Sequence, residues 1–121
     1  MPDVDAIRFD LEMCMRFNVM IDEQTYPFDV PEFILEEGEE FFAKLDQDMD
    51  RGYQMSRTWV EKPDRLNRCQ IVADRILDAI SRENTQLGIM MAGYILTRMP
   101  GVTGVQLSVE GDMLEHEFIM G

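Results

Sequence analysis

Residues 7 to 21 alternate strictly between apolar and other side chains, and this rhythm constrains the fold more than any other feature of the chain. A period of two over so many residues predicts a long N-terminal β-strand with one buried face. The strand exceeds the usual length, so we expect it to bend at a bulge or to reach another subunit. Part of the series also fits a helical spacing, which leaves a helix as the alternative. The apolar positions are Ile7, Phe9, Leu11, Met13, Met15, Phe17, Val19 and Ile21.

Residues 22–33 contain two prolines and predict a connector between the strand and a helix that begins near Pro31. From about 31 to 60, apolar and small side chains keep a helical spacing, which predicts one long helix. Its apolar face would be about 40 Å long at 1.5 Å per residue. One small sheet cannot cover that length, so we expect part of the face, including Tyr53 and Trp59, to meet other helices or a second copy. The face comprises Ile34, Gly38, Phe41, Phe42, Leu45, Met49, Gly52, Tyr53, Ser56, Trp59 and Val60.

The second half predicts further helices and then a hairpin. Helical spacing resumes at about 64–82 and again at about 85–98, with "SRENT" between them. We favour two helices here over one bent helix, because Asn84 or Thr85 can cap a new helix. A period of two returns at about 103–119 and predicts an antiparallel hairpin. The expected fold is a single α+β domain over 1–121, with two or three helices packed on a small antiparallel sheet.

The stretch "DQDMDRG" begins like a calcium-binding loop, with Asp46, Asp48 and Asp50 at the first, third and fifth positions. Such a loop needs glycine at its sixth position and glutamate at its twelfth. This chain has Arg51 and Arg57 there. In addition, the helical spacing continues through the segment, so successive aspartates diverge by about 200°. We predict a solvated helix face and no calcium site.

The only histidine, His116, stands between Glu115 and Glu117 and is a candidate for metal binding or acid–base catalysis. In a strand the two glutamates point away from the histidine, so a packing role is favoured over a metal site. The sulfur ligands of "MCM" at 13–15 diverge in the same way. The 11 methionines therefore predict core or interface packing rather than a copper site.

Arg68, Arg75 and Arg82 recur every seven residues and form a basic line along the second predicted helix. The first predicted helix carries acidic residues on its solvent side. The arginines could pair with that helix within the chain, pair across a dimer, or bind an anion. Pairing is favoured over a ligand, and we predict the three arginines, with Tyr53 and Trp59, as interaction residues.

The formal net charge of −13 is unevenly distributed. Residues 1–50 have 15 acidic residues against three basic ones, whereas residues 51–121 have nine against eight. Such a field repels nucleic acid and anionic membranes, so we expect neither as a direct partner. No export signal or membrane-length apolar run is visible, and Cys14 and Cys69 do not form a disulfide framework. A cytoplasmic protein with reduced thiols is expected.

No phosphate-binding loop, nucleophile motif or histidine cluster appears, so no cofactor is predicted and an enzyme is not favoured. The leading hypothesis is a non-catalytic accessory or protein-interaction protein that acts as a homodimer, the commonest oligomer. A basic protein would also suit its charge as a partner. One alternative is a protein that binds a small ligand or metal in a methionine-rich apolar pocket. A further alternative is an acidic mimic of nucleic acid that inhibits a basic protein.

Overall fold

The computed structural model describes residues 14–121 and shows the α+β class that the sequence predicts. No helix in that range is long and apolar enough to cross a membrane. A 3-10 helix, Met113–Glu115, precedes the last strand. The other elements are β1 (Cys14–Ile21), β2 (Gln24–Pro31), α1 (Glu32–Glu37), α2 (Glu39–Met49), β3 (Tyr53–Met55), β4 (Thr58–Val60), α3 (Arg65–Ser81), α4 (Thr85–Arg98), β5 (Val102–Leu107) and β6 (Glu117–Met120).

The alternating pattern does form a strand where the structure describes it. Strand β1 buries Phe17 and Val19 completely, whereas Asn18 between them is half-buried and Arg16 before them is exposed. The earlier part of the predicted strand, residues 7–13, lies outside the described residues. The prediction of a strand is therefore confirmed for 14–21.

The prediction of a connector over 22–33 is wrong, because residues 24–31 form β2 and pair with β1 in an antiparallel hairpin. Asp22, with φ of 55°, makes the tight turn between the two strands. Proline is tolerated here because β2 is an edge strand and a missing N–H can face outward. Pro27 and Pro31 therefore mark a sheet edge instead of a loop.

The four-stranded sheet has the order β2-β1-β5-β6 and is mixed rather than wholly antiparallel as predicted. Strand β5 runs parallel to β1, with Asn18 opposite Gly104, because the chain crosses over through the helices before it returns. Helices α3 and α4 pack on each other and against one face of the sheet. The buried side chains of that face are Phe17, Val19, Phe28, Val30, Val105 and Leu107.

The prediction of one helix over 31–60 is wrong in two places. Gly38 separates α1 from α2, and a side chain at this position would meet the Phe42 ring at 2.9 Å. Helix α2 ends at Met49, and residues 53–60 form a two-stranded ribbon, β3 and β4. The chain turns at Gly52, with φ of 93°, and at Ser56, with φ of 58°, and neither angle fits a right-handed helix.

The two helices predicted over 64–82 and 85–98 are confirmed as α3 and α4. Asp64 caps α3, since its carboxylate accepts a hydrogen bond from the Asn67 amide at 2.8 Å. Asn84 caps α4 in the same way, accepting from the Leu87 amide at 3.1 Å. The cap at Asn84 shows that the segment forms two separate helices and not one bent helix.

The C-terminal hairpin predicted over 103–119 is confirmed as the antiparallel pair β5 and β6, in which Val105 lies opposite Phe118. Its connection is longer than a tight turn and contains the 3-10 helix. Leu114 therefore stands in that helix, and His116 stands just before β6. Gln70 of α3 holds this connection by donating to the Leu114 and His116 carbonyl oxygens at 3.1 and 3.3 Å.

Candidate functional site

A network of hydrogen-bonded ion pairs centred on Asp46 joins three helices. The Asp46 carboxylate accepts hydrogen bonds from the Tyr94 hydroxyl at 2.5 Å and from Arg98 Nη2 at 2.8 Å. Arg68 Nη1 approaches the same carboxylate at 3.3 Å. Arg98 also binds both oxygens of Glu39, at 2.8 and 2.9 Å. Helix α2 is thereby tied to α3 through Arg68 and to α4 through Tyr94 and Arg98.

The electrostatics of the network favour its charged form. Burial alone would raise the pKa of the Asp46 carboxyl, but hydrogen bonds from Tyr94, Arg98 and Arg68 outweigh it and hold that pKa below its ordinary value. Burial, followed by the hydrogen bond to Asp46, raises the pKa of the Tyr94 hydroxyl. Burial also raises the pKa of the nearby Cys69 thiol to about 12. At neutral pH Asp46 is therefore ionised and the thiol is protonated, and an unreactive thiol is expected.

A cleft of about 590 Å³ opens beside this network. Arg65, Arg68 and Arg98 are the cations that line it. Two of them already bind carboxylates, and of the three only Arg65 makes no ion pair among residues 14–121. The cleft thus offers little uncommitted positive charge to an anionic ligand, and we assign the network to the stability of the helix packing.

A second groove, of about 680 Å³, lies between β2 and the junction of α3 and α4. Tyr26, Phe28 and Ile89 are among its lining residues, and no methionine lines it or the first cleft. The buried methionines instead fill the core, where Met55 is completely inaccessible to solvent. These two cavities therefore give no support to a methionine-rich binding pocket.

Two aspartates of the calcium-like stretch, Asp46 and Asp50, share Arg68 as an ion-pair partner, and the third, Asp48, is exposed on α2. The two carboxylates that approach each other are therefore bound to a cationic side chain, and the third does not join them. No cluster of three or more histidine, cysteine, aspartate or glutamate side chains suited to a metal ion occurs within residues 14–121.

His116 is separated from both glutamates that flank it in the sequence. Its ring is buried: Nδ1 accepts a hydrogen bond from the Ser108 amide at 2.9 Å, and Nε2 lies 3.1 Å from Asp74 Oδ1. Because Nδ1 is an acceptor, the neutral ring carries its proton on Nε2 and donates it to Asp74. Glu115 contacts the Ser108 hydroxyl and Glu117 is exposed on β6. The arrangement fastens the β5–β6 connection to α3.

The three arginines of the predicted basic line lie along α3 and at its C-terminal end, but they do not bind a common partner within residues 14–121. Arg68 binds Asp46 and Asp50, which is the pairing within the chain that was one of the three alternatives. Arg82 pairs with Asp78 on its own helix at 3.1 Å. Arg75 is exposed and makes no ion pair within residues 14–121. An interaction role for Arg75 and Arg82 stays a prediction.

The ribbon formed by β3 and β4 has one face toward the core and one toward solvent. On the inner face, Met55 is completely buried and Tyr53 is partly buried against the core. On the outer face, Gln54 lies opposite Trp59, whose side chain is 56% exposed. The two predicted interaction residues Tyr53 and Trp59 thus point in opposite directions, and Trp59 alone of the two presents its ring to solvent.

Gly52 fixes where the Trp59 ring lies. A Cβ atom at position 52 would come within 2.6 Å of Trp59 Cζ2 and 3.2 Å of Cε2, so the indole ring lies against the glycine backbone. Ser56, in the turn of the ribbon, accepts a hydrogen bond from the Met113 amide at 2.9 Å. The ribbon is therefore held at its tip as well as through Met55, and it presents the indole on a fixed support.

Four exposed cations surround this indole along the chain, and none of them forms an ion pair with another described residue. Two stand at the open end of the ribbon, one in its turn and one in the first turn of α3. They are notable in a chain whose net charge is −13. We name this surface the ribbon patch, and it comprises Arg51, Arg57, Trp59, Lys62 and Arg65.

A surface of the opposite charge lies along α1 and the beginning of α2. It exposes four glutamates that make no ion pair among residues 14–121, together with Phe33 and Phe41, which are 59% and 39% exposed. Glu39, beside them, is committed to Arg98. We name this surface the acidic flank, and it comprises Glu32, Phe33, Glu36, Glu37, Glu40 and Phe41.

Sequence reasoning missed the ribbon that carries Trp59. Only the first strand shows a pattern, because Tyr53, Gln54 and Met55 alternate between apolar and polar side chains after Gly52. The second strand does not alternate, since Thr58 precedes two apolar residues, and the turn between the strands contains no glycine. Compared with known proteins, the chain matches no family model, no curated protein and no solved structure.

Proposed function

We propose that this chain is a non-catalytic interaction protein of the cytoplasm that acts as a homodimer through the ribbon patch. The observation that carries the proposal is the exposed indole of Trp59, which is supported on Gly52 and lies in a segment with four exposed cations that make no ion pair within residues 14–121. Tryptophan and arginine are the residues most enriched at the energetic centres of protein interfaces. An indole that is already held in place loses little conformational freedom when a partner covers it.

The remaining polar chemistry of the described residues supports a structural role for the other clusters. Every buried side-chain nitrogen and oxygen within residues 14–121 has a hydrogen-bond partner. The Asp46 network and the His116 contacts each join separate elements of the fold. The ribbon patch differs because its charges join no separate elements within residues 14–121.

Trp59 is the only tryptophan, so its fluorescence reports directly on the proposed surface. We expect the emission maximum to shift to shorter wavelength as the concentration rises through roughly 1 to 100 μM. Sedimentation equilibrium over the same range should show the mass rising from 14.1 kDa toward twice that value. Both changes follow if association removes the indole from water.

Trp59→Ala should weaken self-association by about tenfold or more, because interface tryptophans commonly contribute over 2 kcal/mol. Val109→Ala is the matched control, since Val109 is a similarly exposed apolar residue, at 52%, on the β5–β6 connection. A mass and an emission maximum that stay constant with concentration would contradict the homodimer. Equal weakening by the two variants would contradict the role of Trp59.

A further inference from the structure

The ribbon patch and the acidic flank carry opposite charges. The ribbon patch has four exposed cations, with the exposed acids Glu61 and Asp64 in the same segment, whereas the acidic flank has four exposed glutamates, and each surface exposes at least one aromatic ring. Opposite potentials on two surfaces guide association and fix how the partners are aligned. The complement to the ribbon patch is therefore present on the same chain.

No ion pair joins the ribbon patch to the acidic flank within residues 14–121. Arg51 follows the end of α2, and the 11 residues of that helix extend about 16 Å at 1.5 Å per residue from the glutamates at its beginning. Exposed charges at that separation are largely screened, since the Debye length is about 8 Å at physiological ionic strength. Contact between two molecules would bring these charges together.

We propose that the ribbon patch of one copy binds the acidic flank of a second copy, reciprocally, in a two-fold symmetric dimer. This inference rests on the homodimer proposed above and names the two surfaces that meet. If the α2 helices of two copies lie side by side and antiparallel, each ribbon patch faces the other copy's acidic flank. One geometry thus satisfies both contacts, as a closed two-fold interface requires.

The side chains along the middle of α2 suit this arrangement. Phe41, Lys44 and Asp48 follow one another at helical spacing, and all three are exposed. In an antiparallel pair, Lys44 of one copy comes near Asp48 of the second copy on each side of the two-fold axis. The centre of the contact therefore repeats the charge complementarity of its two ends.

Charge reversal tests which surfaces meet. Arg57→Glu combined with Lys62→Glu reverses two of the four cations of the ribbon patch, and Glu36→Lys combined with Glu40→Lys reverses two of the four glutamates of the acidic flank. Each double variant should raise the dimer dissociation constant by about tenfold or more, because the attraction between the two surfaces is then lost. An equimolar mixture of the two variants should form a heterodimer more tightly than either variant forms a homodimer, since the unchanged flank of the first variant then meets the unchanged ribbon patch of the second and the reversed residues face each other with opposite charges.

Arg75→Glu combined with Arg82→Glu is the matched control for the ribbon variant, because it changes the net charge by the same amount and sign, on the exposed side of α3. It should leave the dissociation constant within about twofold of wild type. Native mass spectrometry and sedimentation equilibrium of the full chain measure all four samples. Failure of the mixture to form a heterodimer, or an equal loss in the control, would overturn the assigned surfaces.

The outcomes separate the two proposals. A wild-type chain that stays monomeric overturns the homodimer itself. A wild-type dimer whose charge-reversed variants are not restored by mixing leaves the homodimer standing and overturns the pairing of ribbon patch with acidic flank. Association of the charge-reversed ribbon variant at wild-type strength overturns that pairing as well.

Discussion

The Asp46 network and the ribbon patch use the same kinds of residue in opposite ways. In the network, Arg68 and Arg98 are only 22% and 19% exposed, and each binds two carboxylates. In the ribbon patch, four cations are exposed and bind none among residues 14–121. Committed charges stabilise the packing of the helices, whereas uncommitted charges contribute little to folding and can select a partner. The distinction predicts that substitutions in the two regions will affect different measurements.

The largest expected effect is on stability, from Asp46→Asn. The substitution removes the charge that Arg68 and Arg98 share, and it leaves two partly buried arginines without their common partner. The free energy of unfolding in urea should fall by about 2–3 kcal/mol. Self-association of the folded protein should be unchanged, since the ribbon patch is untouched.

Asp48→Asn is the control for that prediction at concentrations where the chain is monomeric, because Asp48 is exposed on the same helix and makes no ion pair within residues 14–121. It removes the same charge, and its effect on the free energy of unfolding should be below about 0.5 kcal/mol. Equal losses in the two variants would show that the Asp46 network contributes nothing beyond net charge, and the comparison between the two regions would fail.

Gly52→Ala should affect both the free energy of unfolding and self-association, because Gly52 contacts the indole of the ribbon patch and also has a backbone conformation that favours glycine. The backbone at 52 has a φ of 93°, and an added Cβ would meet the Trp59 ring at 2.6 Å. We expect a loss of about 1–2 kcal/mol in the free energy of unfolding and weaker self-association, because the indole must move.

The same substitution in a Trp59→Ala background separates the two causes. The collision with the ring is then absent, and the backbone strain and a close approach of the new Cβ to the Val60 carbonyl oxygen, at 3.1 Å, remain, so Gly52→Ala should cost less stability than in the wild-type chain. Additive losses in this double-mutant cycle would show that the ring does not depend on Gly52.

The smallest expected effect is a pH dependence that belongs to the network alone. The pKa of Asp46 is below its ordinary value of 3.8 in the folded protein, so the unfolded chain binds the proton more tightly. The stability from this group is fully present above that value and is lost as the pH falls through the lower, folded-state pKa. Between about pH 4 and pH 2, Asp46→Asn should therefore lose less stability than wild type in urea titrations. An equal loss of stability in the wild-type protein and in Asp46→Asn over this pH range would contradict the contribution of the Asp46 carboxylate.

The elements that are determined by residues close in the sequence could be predicted from local patterns. Helices α3 and α4 have capping residues, Asp64 and Asn84, beside a clear apolar stripe. Strand β2 was hidden because its prolines indicate a loop unless the strand is known to lie at an edge. The parallel pairing of β1 with β5 depends on residues more than 80 positions apart, as between Asn18 and Gly104, and no local pattern reports it.

The ribbon was missed for a different physical reason. Phe42, Leu45 and Met49 follow a true helical stripe, and Tyr53 continues it by coincidence of spacing across Gly52. The prediction of the candidate site was wrong for the same reason, because it places Tyr53 and Trp59 on one helix face, whereas they lie on opposite faces of a ribbon. The partner of His116 was equally hidden, because Asp74 is 42 residues away in the sequence.

The two prolines of β2 have a consequence for how copies of the sheet could join. Pro27 and Pro31 deprive the outer edge of two of the donors that strand addition needs, whereas Glu117–Met120 at the other edge contains no proline. Among residues 14–121, the β2 edge therefore disfavours the addition of a further strand, and this limits extension of the sheet into a fibril in that direction.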